Sequence, residues 1–197
     1  MAKRIFDVMM AITGIIMILP LLMIISIVVI LDSSGGVIYS QNRVGRNKIN
    51  FQLFKFRTMK KGADHGSLLT IGNHDQRITK SGYWLRKYKL DELPQLFNVL
   101  IGDMSFVGPR PEVMKYVALY DDQQQRILSV KPGLTDWASL AFIDEDELLG
   151  TAKNPETFYI QHIIPLKINH NLKYIDHHNL WIDIKIIFLT IKSILLK

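Results

Sequence analysis

The stretch VMMAITGIIMILPLLMIISIVVIL, residues 8–31, decides the class of this chain. It has 24 residues without a charge and lies between Asp7 and Asp32. A helix of about 20 apolar residues is enough to cross the hydrocarbon core of a bilayer. A secretory signal would have a shorter apolar region followed by a small-residue cleavage site, and this run is longer and lacks such a site. The stretch therefore predicts a helix that inserts into a membrane and stays there.

Pro20 lies near the middle of this stretch and predicts a kink, because proline removes one helical hydrogen bond. Both flanks of the stretch are basic, through Lys3, Arg4, Arg43, Arg46 and Lys48. Basic flanks favour the cytoplasmic side. A re-entrant helix, which leaves on the side it entered, satisfies both flanks, whereas a straight span satisfies one. The residues alone leave both topologies open, but either places the bulk of the chain on the cytoplasmic face.

Composition narrows the partners without choosing among them. The chain has 197 residues, no cysteine and a formal charge of +6. The absence of cysteine excludes disulfides and thiolate chemistry. A basic protein favours anionic partners, which include nucleic acid, phosphates and an anionic membrane surface. Neither a P-loop signature nor an HExxH zinc motif occurs.

The segment VIYSQNRVGRNKINFQLFKFRTM, residues 37–59, predicts a small β-hairpin around a turn at 45–47. Alternation places Phe51, Leu53, Lys55 and Arg57 on one face. Two cations two residues apart on one face, Lys55 and Arg57, could share an anion. The alternative is a solvated strand edge protected by charge.

Beyond the hairpin the pattern is mainly helical. A loop is expected over Lys60–Thr79, and a short amphipathic helix over Ser81–Lys89 with Trp84, Leu85 and Tyr88 inward. Three further helical segments are expected, over Leu90–Ile101, Val113–Ser129 and Asn154–Tyr174, the last interrupted at Pro165. The first of them has the apolar stripe Leu93, Phe97, Leu100 and Ile101. Over Lys131–Leu140 a turn leading into an extended piece is expected. The end, WIDIKIIFLTIKSILLK, suits a basic amphipathic helix in the membrane interface or a terminal helix packed on the core.

Asp91 and Glu92 are adjacent carboxylates in the segment KLDELPQLFNVLIGDMSFVGPRPE, residues 89–112. Acidic residues followed by a proline are also ordinary at a helix start. At such a start both carboxylates can face one site, where they could bind Mg²⁺ together with substrate phosphates. An aspartate can also attack phosphorus and form an aspartyl phosphate. Both interpretations remain open from spacing alone.

Arg110 and Arg86 are the cations nearest to this pair in sequence. Pro109 and Pro111 stiffen the backbone around Arg110, so its guanidinium could bind a phosphate with little loss of freedom. Arg86 precedes Asp91 by five residues and could serve the same pocket. The alternatives are that Arg110 is an exposed arginine in a turn and that Arg86 lies on a solvated helix face. Together, these residues suggest chemistry on a phosphate at a bilayer surface.

At these residues the chain resembles the bacterial sugar transferases, which are monotopic polyprenyl-phosphate phosphoglycosyl transferases. The resemblance rests on KRIFD with its proline-containing helix, on the hairpin segment, on ITKSGYWLRKYKLDELPQLFNVLIGDMSFVGPRPE and on KPGLT. It implies transfer of a sugar-1-phosphate from a nucleoside-diphosphate sugar, expected to be a UDP-sugar, to undecaprenyl phosphate, with release of the nucleoside monophosphate. Such a reaction is the first membrane step in building a capsule, O-antigen, exopolysaccharide or glycoprotein glycan.

The resemblance also implies roles for individual residues. Asp91 would be the nucleophile that carries a covalent phosphosugar, and Asp91 and Glu92 would hold the required Mg²⁺. Lys55, Arg86 and Arg110 would contact phosphates, and Pro20 would mark the break of a re-entrant helix.

The expected architecture is an α+β, mainly helical fold at the bacterial inner membrane. Residues 1–35 are expected to form a re-entrant anchor, residues 36–180 a catalytic domain on the cytoplasmic face, and residues 181–197 an amphipathic interfacial helix. The expected partners are the donor, the lipid acceptor and the membrane, but no nucleic acid. A second copy in a homodimer is a further candidate partner. A rival interpretation is a membrane-anchored basic binding protein without turnover, but carboxylates among the cations would repel a nucleic-acid backbone.

Two stretches depart from the family pattern. Leu19 stands before Pro20 where many members have serine, which could make the helix break less sharp. After KPGLT the chain reads DWASLAFIDEDELLG where many members have a different sequence. This region is expected to face the nucleotide or the sugar, which leaves the identity of the donor open, and Asp136 and the acidic run 144–147 could belong to a subgroup pattern. The same residues also suit a solvated loop and helix start.

Overall fold

The computed structural model describes residues 1–63 and 75–196 and is mainly helical with two small sheets. The helices α1–α9 are Ala2–Asp32, Lys80–Lys87, Gln95–Ile101, Met114–Val117, Trp137–Ala141, Glu145–Thr151, Pro155–Phe158, Ile164–His177 and Leu180–Leu195. The strands β1–β4 are Ile38–Val44, Asn50–Phe56, Ser105–Val107 and Gly133–Thr135. The α+β, mainly helical class is thus confirmed. The middle of the loop predicted over Lys60–Thr79 falls at 64–74, outside the described residues.

Helix α1 runs from Ala2 to Asp32 and continues through Pro20. Its most apolar 18-residue window has a mean hydropathy of 3.1, and 17% of that window is buried against the protein. The helix is thus long and apolar enough to cross a membrane, by length and composition. The break expected at Pro20 is not confirmed, because helical structure is present on both sides of the proline and through it.

The rest of the chain holds α1 at both of its ends. Near the first end, Arg4 donates to the carbonyl oxygens of Val99 at 2.6 Å and Leu100 at 2.9 Å. At the other end, the Asp32 carboxylate accepts hydrogen bonds from the N–H and the hydroxyl of Ser81, each at 2.7 Å. Between these points α1 packs one stripe, which includes Ala11, Leu22, Ile25 and Val29, against the hairpin and the α2–α3 region.

The predicted hairpin is confirmed. Strands β1 and β2 pair antiparallel, with Ile38 opposite Phe56 and Val44 opposite Asn50. Asn47 and Lys48 take positive φ values of 56° and 63° in the connecting turn, which allows the tight reversal. Arg57 follows the end of β2.

A second, parallel pair of strands was not predicted. β3 pairs with β4, with Ser105 opposite Gly133 and Val107 opposite Thr135. Gly108 and Gly133 face each other so closely that a Cβ atom on either would overlap the opposite backbone. Glycine is therefore required both at position 108, where the chain leaves β3, and at position 133, where β4 begins beside it.

The helix expected over Leu90–Ile101 is divided, and its buried face was predicted wrongly. A single 3₁₀ turn, Leu90–Glu92, precedes α3. Phe97 and Ile101 are 41% and 62% exposed. The polar residues Gln95 and Asn98 are buried instead. The reason lies in Asn98, whose amide accepts from Phe54 N–H and donates to the Gln52 carbonyl, so it completes the free edge of β2.

Three other helical predictions need correction. In α2 only Leu85 of the three expected inward residues is buried, while Trp84 and Tyr88 stack on the surface with ring centroids 6.2 Å apart. The helix over Val113–Ser129 is reduced to α4 and a 3₁₀ segment at Gln124–Ser129. Asp121 and Gln124 stop it, because each side chain accepts from the backbone N–H of the other. The extended piece after Lys131 is only β4, and α5 follows at once.

The C-terminal half agrees better with the sequence pattern. The interruption expected near Pro165 is a π-helical turn, Tyr159–Ile163, directly before α8. Helix α9 buries Asp183 and Ile186 against the core, whereas Trp181, Phe188 and Leu195 are 81%, 65% and 78% exposed. One face of α9 is therefore core-packed and the opposite face is apolar and open.

Candidate active site

The local backbone brings Asp91 and Glu92 to the start of α3. Lys89 adopts a left-handed conformation with φ of 55°, which turns the chain between α2 and the 3₁₀ segment. Pro94 follows in helical conformation as the N-cap of α3. Asp91 is 6% exposed. The two carboxylates thus leave a single turn of 3₁₀ helix and diverge into different surroundings.

Glu92 lies at the centre of an ion cluster. Lys55 Nζ is 2.9 Å from Glu92 Oε1. Arg110 Nη1 is 3.2 Å from Oε2, and Arg110 Nη2 donates to Oε1. Both oxygens of Glu92 are therefore occupied by cations from β2 and from the Pro109–Pro111 segment. A forked arginine–carboxylate contact of this kind fixes orientation as well as charge.

Asp91 lies next to this cluster but has a different environment. Among residues 1–63 and 75–196, no side chain or backbone N–H donates a hydrogen bond to its carboxylate. The charges of Lys55, Arg86 and Lys89 act on it. A buried carboxylate without a donor is costly, so the arrangement suits a group that meets a ligand.

The surroundings move the pKa values of the two carboxylates in opposite directions. Burial raises the pKa of Asp91, and the nearby charge of Lys55 offsets only part of this rise. Burial would also raise the pKa of Glu92, but the charges of Arg110 and Lys55 outweigh it and hold that pKa well below its usual range. Burial lowers the pKa of Lys55, against the opposing charge of Glu92. Two neighbouring carboxylates with divergent pKa values are a common feature of catalytic sites.

Arg110 is held in place by its backbone as well as by Glu92. Its N–H donates to Asp136 Oδ2 at 3.2 Å, and Asp136 Oδ1 caps α5 by accepting from Ser139 N–H at 2.6 Å. Gly133 N–H donates to the Pro109 carbonyl at 3.0 Å, which ties the segment to β4. Asp136 is fully buried. The sequence offered a solvated loop and a helix start as the alternative interpretation of Asp136. The helix start is confirmed, and the solvated loop is wrong because Asp136 is buried.

The structure groups most of the predicted cations, but not all of them. Lys55 and Arg110 contact Glu92, and the charge of Arg86 reaches Asp91. Arg57 is separate, because its Nε donates to the Gly36 carbonyl at 2.8 Å near the end of α1. Lys55 and Arg57 therefore contact different groups, Glu92 and the Gly36 carbonyl. Pro20 lies within α1 and is not part of this cluster.

Asn98 and Asp136 support the site, and sequence reasoning assigned neither of them this positioning role. Asn98 joins α3 to β2 and so sets Lys55 against Glu92. Asp136 joins α5 to Arg110. An aspartate before a helical pattern is a recognisable N-cap signal, and this signal could have found Asp136. Nothing in the local sequence pattern indicates the partners of Asn98 on β2, because they lie more than 40 residues away in the same chain.

The fit of Mg²⁺ to these residues is uneven. Asp91 offers a buried carboxylate without a hydrogen-bond donor, which is the ligand type that Mg²⁺ prefers. Glu92 has both oxygens engaged by Lys55 and Arg110. Over the described ranges no group of three or more His, Asp or Glu side chains is arranged to hold a metal. Substrate phosphates would have to supply further ligands.

The fold and the site together define a class of protein. The long apolar helix indicates association with a membrane, and the cations around the buried Asp91 carboxylate are typical of a site for an anionic ligand. The sequence model of the family described as "Bacterial sugar transferase" matches residues 1–197. The chain belongs to this family.

Named relatives are similar over nearly the whole chain. A protein of Aeromonas hydrophila, named UDP-N-acetylgalactosamine-undecaprenyl-phosphate N-acetylgalactosaminephosphotransferase, is 35% identical over 98% of this chain. A protein of Xanthomonas campestris pv. campestris, named UDP-glucose:undecaprenyl-phosphate glucose-1-phosphate transferase, is 37% identical over 98% of this chain. The chain spans only 43% and 39% of the lengths of these two curated relatives. It spans 87% of the "Uncharacterized sugar transferase EpsL" of Bacillus subtilis (strain 168), which is 36% identical.

Proposed function

We propose that this protein transfers a sugar-1-phosphate from a UDP-sugar to undecaprenyl phosphate, through a covalent intermediate on Asp91, and releases UMP. The observation that carries the proposal is the buried Asp91 carboxylate, which has no hydrogen-bond donor among the described residues and adjoins the Lys55–Glu92–Arg110 cluster. The names of the two long relatives support the kinds of donor and acceptor.

In the first half of the reaction an Asp91 oxygen attacks the phosphorus that carries the sugar. A bond forms between Asp91 and phosphorus, and the bond from that phosphorus to the bridging oxygen breaks. The electron pair of the broken bond leaves on UMP. Asp91 must be ionised for this attack, and the charges of Lys55 and Arg86 favour its ionised form.

The cations around Asp91 stabilise the charge that accumulates on the phosphates. Lys55 and Arg110 are fixed by Glu92, so their positions are established before the substrate binds. In the proposed mechanism, Glu92 positions both cations. Mg²⁺, when bound by Asp91 and the substrate phosphates, would supply further charge neutralisation.

In the second half of the reaction, a phosphate oxygen of undecaprenyl phosphate attacks the same phosphorus. The bond between phosphorus and Asp91 breaks, the carboxylate is restored, and the product is a lipid diphosphate sugar. This order predicts ping-pong kinetics. The reaction would begin a surface glycan pathway, since its product is a sugar already attached to a membrane carrier.

The placement of the protein at the membrane is part of the proposal. Both ends of α1 contact the same body, through Arg4 at the first end and Asp32 at the second. A straight crossing would place part of the body that packs along α1 in hydrocarbon. We therefore favour a topology in which α1 bends within the membrane and leaves on the face it entered, although the helix is continuous through Pro20 in this structure. The basic flanks assign that face to the cytoplasm.

Exposed apolar and aromatic side chains support an interfacial position. Trp84 and Phe97 on α2 and α3 are 55% and 41% exposed. Trp181 and Phe188 on α9 are exposed as well. Aromatic side chains at a surface of this kind are typical of the membrane–water interface. The site would then lie at the depth where a lipid phosphate is presented.

The identity of the sugar is left to experiment, because the two relatives named above act on different sugars by their names. The region 136–147 is the proposed selector, since Asp136 anchors Arg110 while the segment after it differs from the family pattern.

The test is release of UMP by the purified protein in detergent with undecaprenyl phosphate, Mg²⁺ and a panel of UDP-sugars. Turnover with one donor is expected, with loss of at least 1000-fold, on the order of the effect of removing a nucleophile, in Asp91→Asn and on addition of EDTA. Asp176→Asn is the matched control, because Asp176 is 46% exposed and its ion pair within the described residues is with the surface residue Arg126. Turnover that survives in Asp91→Asn would rule out the covalent route. Salt-dependent binding of anions without turnover on any donor would favour the basic binding protein.

A further inference from the structure

A second cavity, of about 360 Å³, lies at the N-terminal end of α1 and shares no lining residue with the Lys55–Glu92–Arg110 cluster. Its charged and polar lining comes from the first turns of α1, the hairpin turn, β3, the segment before β4 and the end of α8. The charged residues are Lys3, Arg4, Asp7, Arg46 and Lys131, and the polar residues are Ser105, Ser129, Tyr174 and His178. Four cations and one carboxylate thus line a space that is large enough for a small ligand.

The positive charge of this cavity is only partly compensated. Lys3 is paired with Asp183 at 2.6 Å, but Arg4 donates to backbone carbonyls, which leave its charge in place. Over the described residues the side chains of Arg46 and Lys131 form neither an ion pair nor a hydrogen bond. Burial and the repulsion from Arg4 lower the pKa of Lys131, against the opposing charges of Asp7 and Asp103. The carboxylates therefore offset only part of the repulsion among the cations.

Two of these cations converge on one point. A Cβ atom built on Gly102 would lie 3.2 Å from Arg4 Nη2 and 3.4 Å from Lys131 Nζ. Gly102 closes α3 with a positive φ of 102°, so the backbone leaves room for both side chains. Two like charges on the same side of this turn repel each other, and an anion bound near them would offset that repulsion.

Ser105 provides a second, independent sign of a ligand. It is 1% exposed, and its hydroxyl has no hydrogen-bond partner among the described residues. A buried hydroxyl without a partner costs free energy, and Ser105 lines this same cavity. A phosphate oxygen would accept from the hydroxyl and from the neighbouring cations at once.

The cavity lies where the apolar surface of α1 begins. Ile5 and Met9, one and two turns into the helix, are 65% and 61% exposed. The charged residues Lys3 and Arg4 directly precede this apolar surface. Cations at the edge of a membrane-inserted surface face the layer of lipid headgroups.

We propose that this cavity binds a phosphate group, through Arg4, Arg46, Lys131 and Ser105, as a site separate from the one assigned to catalysis. The phosphate would come from the headgroup of an anionic lipid or from free phosphate in solution. The charge excess, the convergence on Gly102 and the unpaired hydroxyl each point to the same chemistry.

The test uses the full chain in a zwitterionic detergent and measures binding by calorimetry. The probes are inorganic phosphate and dihexanoyl phosphatidylglycerol, with dihexanoyl phosphatidylcholine as the neutral lipid. The main variant is Arg46→Gln with Lys131→Gln, because neither side chain has a structural partner among the described residues. Lys153→Gln removes an exposed charge outside the cavity, and Lys131→Arg keeps the charge inside it.

Saturable binding of one of the anionic probes is expected, at least tenfold weaker in the double variant and unchanged in Lys153→Gln and Lys131→Arg. Preference for phosphatidylglycerol over inorganic phosphate would identify a headgroup, and equal or stronger binding of inorganic phosphate would identify a free phosphate. Absence of binding by both anions, or an equal loss in Lys153→Gln, would overturn the proposal. None of these measurements depends on turnover, so failure here leaves the proposed transferase activity untouched.

Discussion

The guanidinium of Arg110 forks onto the carboxylate of Glu92, with Nη1 3.2 Å from Oε2 and Nη2 on Oε1. Lys55 shares Oε1 from the other side at 2.9 Å. Glu92 is thereby committed to holding two cations, while the adjacent Asp91 is buried without a donor among the described residues. Two carboxylates that are neighbours in sequence thus have different surroundings, and in the proposed mechanism Glu92 positions charge while Asp91 reacts.

The first prediction concerns Glu92. Glu92→Gln leaves Lys55 and Arg110 close together without a counter-charge. Because the cluster is partly open to solvent, we expect a loss of about 2 kcal/mol in the free energy of unfolding, somewhat below the 3–5 kcal/mol for a fully buried pair. Denaturant unfolding in detergent measures this.

The matched control is Glu156→Gln, which breaks an ion pair with Lys115 in which both side chains are about half exposed. Surface pairs contribute roughly 0–1 kcal/mol. Equal destabilisation by the two variants would mean that the cluster around Glu92 has no special structural role.

The second prediction is a raised acid limb in the pH profile. Burial raises the pKa of Asp91, so acidification protonates the nucleophile above the ordinary aspartate value of about 3.9. Lys55 counteracts this rise, so Lys55→Met is expected to move the acid limb of kcat/KM to still higher pH, besides lowering its maximum. If the acid limb of kcat/KM does not move in Lys55→Met, protonation of Asp91 is not the cause of that limb.

The same two carboxylates contribute to stability with opposite signs. The folded state binds the Asp91 proton more tightly than the unfolded chain, so this contribution is present at low pH and is lost as pH rises through the folded pKa. Glu92 has a lowered pKa, so its contribution is present above the ordinary glutamate value and is lost as pH falls through the folded pKa. Asp91→Asn should therefore stabilise the protein at neutral pH, and Glu92→Gln should not.

The third prediction concerns Asp136. In Asp136→Asn, Oδ1 can still cap α5 at Ser139, but the amide replaces the oxygen that accepts from Arg110 N–H. We expect kcat/KM to fall about tenfold, or about 1.4 kcal/mol in transition-state stabilisation. Asn154→Ala is the control, because it removes the cap of α7 at Thr157 and should cost about 1 kcal/mol of stability without changing kcat/KM.

The fourth prediction concerns the topology of α1. The chain has no cysteine, so Ala2→Cys and Ser34→Cys can each be labelled alone. In sealed inverted vesicles, a membrane-impermeant maleimide should label both positions without disruption of the vesicle. Labelling of only one of them before disruption would show that α1 spans the bilayer.

The elements that could be predicted from sequence carry their signal locally. The hairpin has alternation on both strands and a turn between them, and the apolar stretch of α1 exceeds what a core helix needs. The grouping of Lys55, Arg86 and Arg110 with the carboxylates came from the stiff Pro–Arg–Pro segment and from the family resemblance.

The elements that could not be predicted depend on distant partners. β3 and β4 are three residues each, too short for a periodic pattern, and their pairing is long-range. The buried face of α3 was misassigned because amphipathic reasoning assumes that amides face water, whereas Asn98 is satisfied by the edge of β2. Arg57 follows the end of β2, so strand alternation no longer described its direction.

The most direct test of the central claim is the intact mass of the protein after incubation with Mg²⁺ and its UDP-sugar in the absence of undecaprenyl phosphate. A covalent intermediate on Asp91 predicts a mass increase equal to the UDP-sugar minus UMP, that is, one sugar phosphate less one water. The increase should be located by peptide mapping at Asp91, be absent in Asp91→Asn and be removed when undecaprenyl phosphate is added. UMP release that requires the lipid acceptor from the first turnover, with no adduct on Asp91, would contradict it.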